Sequence, residues 1–319
     1  MPVFNANALM RELRKARGLT QEQLAEGLCS RSTIAMIEKG QRKPDWYIFS
    51  GAMQKLNVDP TQFYSDIASE EEMSMYDYLS DLYALYGSND CEALKSEIEK
   101  MESDKKFSAG LWRKVYLEAL RFLYASDDYK NHERLFEASI ESIKMNRPDF
   151  DIEKIEEYSL TNSELALLDS IASVYANMQD IEKSIKILRK VVEYYEKTLK
   201  YMRIGVLGTM AYAATVTNFA DVLLKAKAYE ECIDECDKVI KLTTGLDYAT
   251  RSRIKAVECK AFAFTHLGKK EEGEILYKKH LFYYWAISGY MDVTNTIFDK
   301  EKERWEEAFG YKLDLSLPW

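Results

Sequence analysis

Proline and glycine are scarce in this chain, with 5 and 13 among 319 residues. Both residues punctuate turns, so their scarcity argues against an all-β or loop-rich fold. Histidine is rarer still. His132, His266 and His280 lie apart, and no His-Glu-x-x-His spacing exists to seat zinc. There is no glycine loop to cradle phosphate and no nucleophile elbow. Catalysis, a cofactor and a bound metal are therefore not expected. The five cysteines (Cys29, Cys91, Cys232, Cys236, Cys259) are odd in number and lack framework spacing, which reads as free thiols in a reducing cytosol. Met1 to Met10 has no basic region leading into an apolar core, so no signal peptide is expected. The only long stretch without charge, Ile204 to Ala220, carries Thr209, Thr215, Thr217 and Asn218 and is bounded by Arg203 and Asp221. It is short and polar for a membrane span, so a buried helix is expected and the protein is placed in the cytoplasm.

What is present is apolar surface in helical rhythm. Hydrophobic residues make up 47% of the chain, and tyrosine is frequent at 22. Tyrosine suits places where neighbouring helices meet, one end apolar and the other wet. The net charge of −9 is unevenly spread. Residues 1–66 hold 9 Lys/Arg against 7 Asp/Glu, a net of +2, and the rest hold 35 against 46. A mildly basic head on an acidic body suits a small DNA-binding module whose carrier is repelled by phosphate.

The fold expected is all-α: a five-helix head at residues 1–66, a junction at 67–72, and a helical body at 73–319. In the head, Asn7 to Arg17 forms a helix closed by Gly18. Thr20 caps Gln21 to Gly27, with Gln23 completing a capping box. Ser30 caps Ser32 to Lys39, and Pro44 lies past its end. A fourth helix runs from about Asp45 to Leu56, and Pro60 precedes a short fifth reaching Tyr64. Ser65 to Glu72 is polar and acidic, and beyond it apolar residues recur every 3.6 positions in helix pairs.

The body also repeats itself. Ile171-Ala172-x-x-Tyr175 is followed by Ile181, Ser184 and Ile185. Phe219-Ala220-x-x-Leu223 is followed by Tyr229, Cys232 and Ile233. Ala261-x-x-Phe264 is followed by Lys270 and Gly273. In each case a small residue on one helix is followed twelve positions later by a small residue on the next, which lets two antiparallel helices approach closely. Cys232 and Cys236 share a helix face, a spacing open to metal binding or oxidation, but Cys232 fills the small-residue position, so core packing is preferred. Weaker copies run through Leu120, Leu123, Tyr129 and His132, and around Leu82 to Ala93. The pattern resembles the tetratricopeptide repeat, with about five helix pairs stacked into a right-handed α-solenoid that has a concave groove. The spacings from Ala172 to Ala220 and from Ala220 to Ala261 are 48 and 41, against the family period of about 34, so longer helices are expected.

In the head, Leu13 to Ala25 followed by Ser30-Arg31-Ser32-Thr33-Ile34-Ala35-Met36-Ile37-Glu38-Lys39-Gly40-Gln41-Arg42-Lys43-Pro44 resembles the helix-turn-helix of phage repressors and the XRE family. Leu13, Leu24, Ala25, Leu28, Ile34 and Ile37 face inward. That leaves Arg31, Ser32, Ala35, Met36 and Lys39 on the outer face of the third helix, which in this family enters the major groove. Arg31 is the preferred base reader, because a guanidinium pairs with both guanine acceptors, although a phosphate contact or a solvated side chain stays open. Ser32 and Met36 would add base contacts. Gln21, Thr33, Lys39, Arg42 and Lys43 would hold phosphates. Glu38 reads as half of a structural ion pair with Arg14 or Arg42.

A helix-turn-helix head followed by such repeats resembles the RRNPP group of peptide-sensing regulators, which includes Rgg- and PlcR-type proteins. The entry Leu28-Cys29-Ser30-Arg31-Ser32-Thr33-Ile34 is similar to the recognition-helix entry of Rgg-type proteins. The resemblance implies a homodimer formed through the repeat body, double-stranded operator DNA as a partner, and a short linear peptide in the concave groove. Asn218, two residues before Ala220, matches the position of a peptide-gripping amide in many such repeats. The other repeats carry Ser170 and Cys259 there. Helix phase and proximity add Asn177, Thr217, Asp221, Arg251, Lys255 and Phe262 as candidate peptide contacts. Other readings stay open: a regulator whose body binds a protein partner, a repeat-body phosphatase or inhibitor of signalling proteins, and a phage lysogeny receptor of the same architecture.

Overall fold

The structure is a computed structural model that describes residues 5–56, 58–88, 90–126, 130–200, 206–245, 250–287 and 293–313. Among the described residues every regular element is helical. The chain divides into two compact units, Met1–Gly208 and Thr209–Trp319.

The first unit begins with five short helices: α1 (Ala6–Ala16), α2 (Gln21–Ala25), α3 (Arg31–Glu38), α4 (Trp46–Lys55) and, after a 3₁₀ turn at Thr61–Phe63, α5 (Tyr64–Ile67). Local chemistry sets their ends. Asn5, Thr20, Ser30 and Asp45 each accept a hydrogen bond from a backbone N–H in the first turn of the helix that follows. Thr20 and Gln23 form the reciprocal capping box. Gly18 takes a φ of +65° just past α1. Met10, Leu24, Ile34, Ile37, Phe49, Met53 and Leu56 are fully buried together. Each such side chain contributes roughly 1.5–3 kcal/mol by leaving water. The core residues expected from sequence are among them or packed against them.

Residues 67–72 run from the end of α5 into the first turn of α6 (Glu70–Gly87), with Ala68 and Ser69 between the helices. Ser69 and Glu72 form a second capping box, and Glu72 also accepts the Tyr47 N–H at 3.3 Å. Then come α7 (Cys91–Ser103), α8 (Gly110–Ala125), α9 (His132–Lys144), α10 (Asn162–Asn177) and α11 (Ile181–Lys200). The helices α8 and α9, and α10 and α11, pack as neighbours, and α9 also packs on α10, so the pairs stack.

The second unit holds most of α12 (Val206–Lys225), then α13 (Tyr229–Thr243), α14 (Thr250–His266), α15 (Lys270–Ile287) and α16 (Val293–Phe309). The repeat phrases fall where the sequence puts them, on α10/α11, α12/α13 and α14/α15. Ala172, Ser184, Ala220, Cys232 and Ala261 are all fully buried. The period exceeds that of the tetratricopeptide repeat because α11 and α12 are each 20 residues long. Tyr129, named in a weaker copy, lies outside the described residues. From Val206 to Ala220 the uncharged stretch forms the body of α12, with Tyr212, Ala213, Val216, Phe219 and Ala220 buried, while its start at Ile204 lies outside the described residues. Among the described residues no helix is long and apolar enough to cross a membrane.

Candidate functional site

The third helix of the head presents the first candidate site. Thr33, Ile34, Ile37 and Glu38 are its buried face. Arg31, Ser32, Met36 and Lys39 are exposed, and Arg42 and Lys43 follow on an exposed turn. Ser30 holds the start of the helix: its hydroxyl accepts the Thr33 N–H at 3.1 Å and lies 2.7 Å from Ser32 Oγ and 2.9 Å from Thr33 Oγ1. Among the described residues, Arg31, Lys39 and Lys43 have no carboxylate within ion-pair distance, whereas Arg42 lies 3.8 Å from Asp45. A row of exposed cations beside an exposed serine and methionine can meet phosphates and base edges together.

An ion pair fixes how this helix sits on the head. Arg14 Nε and Nη2 donate to the two Glu38 carboxylate oxygens at 2.6 and 2.9 Å, and Arg14 Nη1 donates to the Leu19 carbonyl at 2.7 Å. Gln21 Nε2 donates to Glu38 Oε2 at 2.9 Å. Burial works against ionisation of Glu38, but the hydrogen bonds from Arg14 and Gln21 and the Arg14 charge outweigh it and hold its pKa below the ordinary value. Of the two partners expected for Glu38, Arg14 is the one found. Gln21 and Thr33, named as phosphate contacts, are thus engaged within the head: Gln21 with Glu38, and Thr33 buried beside Ser30.

The candidate groove residues distribute differently. Asn177 is exposed at the end of α10, in the first unit, and the other six belong to the second. Thr217 is buried, and its hydroxyl donates to the Ala213 carbonyl at 2.6 Å. Asn218 is half-buried beside it, and Arg251 is exposed. Asp221 and Lys255 are brought together: Lys255 Nζ lies 3.3 Å from Asp221 Oδ1 and 3.1 Å from Glu258 Oε2, while Lys225 lies 2.9 Å from Asp221 Oδ2. Arg304 of α16 pairs with the other oxygen of Glu258. Burial opposes the charge on Asp221, and the two lysines more than offset it, lowering its pKa. Phe262 packs against Tyr277, Trp305 and Phe309, with ring centroids 5.5, 5.7 and 5.1 Å away.

The cysteines are free. Cys232 and Cys236 are fully buried, and their mutual hydrogen bond and then burial push the Cys236 thiol well above its ordinary pKa, the state of a packing residue and not of a reactive thiolate. Two features of the first unit have no signal in the sequence pattern. One is the buried Arg147, which joins Glu26 of the head to Glu164 of α10. The other is a cavity beside it that is lined by the head and by α6, α8, α9 and α10.

Residues 10–63 match the family described as helix-turn-helix. No curated protein sequence matches the chain. Among solved structures, the chain is similar to PlcR of Bacillus thuringiensis, solved with the peptide PapR7 and DNA. The two are 18% identical over 93% of this chain and 98% of PlcR, with a TM-score of 0.54. It is likewise similar to the apo form of the competence regulator ComR from Streptococcus vestibularis, 14% identical over 96% of this chain and 98% of ComR, with a TM-score of 0.55. At these identities the likeness is one of fold. The chain carries an amino-terminal helix-turn-helix domain followed by an all-helical repeat body, the architecture of these two regulators.

Proposed function

We propose that this protein is a sequence-specific DNA-binding transcription regulator, acting as a cytoplasmic homodimer, whose repeat body takes a short linear peptide. The observation that carries the DNA-binding part is the exposed face of α3: Arg31, Ser32, Met36 and Lys39 side by side, with Arg42 and Lys43 beyond them, behind a core that fixes the helix. In this reading Arg31 reads a guanine, Ser32 and Met36 add base contacts, and Lys39, Arg42 and Lys43 hold phosphates. Gln21 and Thr33 contribute by bracing α3 and through whatever polar capacity their internal bonds leave. The peptide part is supported by the shared fold with PlcR, which was solved with a peptide and DNA. Asn218 and Arg251 of the second unit are then the first candidates for peptide contact, and Asn177 is the candidate of the first unit. Asp221, Lys255 and Phe262 are further candidates of the second unit, and Thr217 sets the packing of α12. The head, residues 1–66, and the body, residues 73–319, are proposed to divide these tasks.

A second reading has its own support. Asp221 and Lys255 are already ion-paired, and Thr217 and Phe262 are buried. A body whose polar groups are satisfied in this way suits a protein partner that covers a broad surface. Fluorescence anisotropy separates the readings. Labelled DNA from the gene's own upstream region is titrated at two salt concentrations, with and without peptides from cell-free culture medium. Tight, salt-sensitive binding that peptides alter supports the first reading. The same binding left unaltered favours the second, and absence of specific binding overturns both.

A further inference from the structure

The cavity in the first unit has a volume of about 610 Å³, within the range of small-molecule sites. Leu28 from the head and Met75, Leu79, Leu111 and Leu167 from α6, α8 and α10 supply apolar wall. Four charged side chains also line it. Two of them cancel: Arg121 Nε donates to Glu118 Oε2 at 2.9 Å, and Arg121 Nη1 donates to Ser170 Oγ at 3.0 Å. The third, Glu164, is bound by Arg147 Nε at 2.7 Å and by the Thr161 N–H at 2.8 Å. The fourth, Lys114, has no carboxylate within ion-pair distance among the described residues. Its ammonium donates to the Tyr47 phenolic oxygen at 2.8 Å and stands 4.1 Å from the centre of that ring. The Asn146 amide donates to the same oxygen. A cation held this way has a neutral partner and spare donors. Burial lowers the Lys114 pKa to about 8, with the Glu164 charge acting in the opposite sense. A chamber whose surface is mostly apolar, with polar groups among it and one such cation in its wall, is complementary to an apolar body that carries one negative charge.

We infer that this cavity binds a small monocarboxylate with an apolar body, its carboxylate on the Lys114 ammonium and its hydrocarbon among Leu79, Leu111 and Leu167. A neutral apolar guest would leave the cation unpaired. A dianion would find, among the described residues, no second cation in the wall that lacks a carboxylate partner, because Arg121 is already paired with Glu118. The site is separate from the candidate groove residues of the second unit and does not depend on a peptide binding there. Tyr47 and Leu28 belong to the head while Lys114 and Leu79 belong to the repeats, so both line the site.

The test titrates the full chain with octanoate and 4-phenylbutyrate, and in parallel with octanol, by isothermal calorimetry. The inference expects one carboxylate per chain, bound at least tenfold more tightly than octanol. Lys114→Met should weaken octanoate at least tenfold and leave octanol unchanged. Lys114→Arg, which keeps the charge, should restore most of the affinity. Leu79→Trp, which fills the chamber without touching the cation, should abolish both, with circular dichroism checking that each variant is folded. If Leu79→Trp does not fold, the Met and Arg pair at position 114 decides alone. Equal binding of octanol and octanoate, insensitivity to Lys114→Met, or no binding of either acid at millimolar concentration would overturn it.

Discussion

The guanidinium of Arg147 lies 2.7 Å from the carboxylate of Glu26, a residue 121 positions earlier in the chain. Its Nε donates to Glu164 at 2.7 Å, and its remaining nitrogen donates to the Ser159 carbonyl. The side chain is 5% exposed, so one buried cation ties the second helix of the head to the α9–α10 turn. The backbone makes room for it at Gly27, where φ is +69° and a β-carbon would fall 2.4 Å from Arg147 Nη2.

Removing this cation strands a charge. Glu164 is 4% exposed, and in Arg147→Met it keeps its capping bonds to Thr161 but loses its counter-ion. The expected loss is about 3–5 kcal/mol, the usual result of breaking a buried pair from one side. Arg147→Met with Glu164→Gln should lose less, because the amide still caps α10 and carries no charge. Urea unfolding of the full chain followed by circular dichroism measures both. A single variant as stable as the parent would show that the bridge contributes nothing.

The exposed cations of the head should separate by role. Arg31→Ala should cost about 1–3 kcal/mol of specific binding and flatten discrimination at one operator position. Lys43→Ala should weaken all sequences alike and reduce the slope of log affinity against log salt by about 1. Anisotropy over a set of operator variants at several salt concentrations reads both effects. An Arg31→Ala protein with unchanged discrimination would make Arg31 a phosphate contact or a solvated side chain.

What was legible in the sequence is what local physics sets. The Thr20–Gln23 box spans four residues, and the small-residue pairs such as Ala172 and Ser184 span one helix turnaround, so spacing alone reveals them. The outer face of α3 follows from its 3.6-residue rhythm in the same way. The cavity was not legible, because Tyr47 and Lys114 are 67 positions apart and no periodicity links them. Glu164 is a partial exception: Thr161-x-x-Glu164 has the form of a capping box, and only its second partner, Arg147, is out of reach of pattern. Phe262 shows the limit from the other side. Helix phase placed it beside the groove candidates, but phase on α14 says nothing of Trp305 and Phe309, which arrive from α16 and pack on the ring.

The bridge between Arg14 and Glu38 makes the head sensitive to acid. The folded-state pKa of Glu38 lies below its unfolded value, so its contribution is complete at neutral pH and is lost as pH falls through the folded pKa. Glu38→Gln should be less stable than the parent at pH 7, by about 1–3 kcal/mol, because the part-buried Arg14 loses its counter-ion but keeps the Leu19 carbonyl. The gap should narrow as the pH is lowered from 7 through the folded-state pKa of Glu38, where the parent carboxylate also loses its charge. Unfolding midpoints of both proteins across that range test it, and a gap that does not change with pH would remove Glu38 as the titrating group.

In the second unit α14 and α15 approach closely at Gly273 of α15. A β-carbon there would fall 2.0 Å from Thr265 Oγ1 and 2.8 Å from the Ala261 carbonyl. The Thr265 hydroxyl can turn away from its bond to that carbonyl, but the carbonyl belongs to the backbone of α14 and cannot. Gly273→Ala therefore sets two effects against each other. Alanine favours the helix by about 1 kcal/mol over glycine, and overpacking costs about 1–3 kcal/mol. The backbone clash should prevail, so Gly273→Ala should lower the unfolding midpoint. Adding Thr265→Ala should recover only part of the loss, since the clash with the Ala261 carbonyl remains. A variant more stable than the parent would mean that α14 and α15 can part without cost, and the small residue twelve positions after Ala261 would not be what holds that pair close.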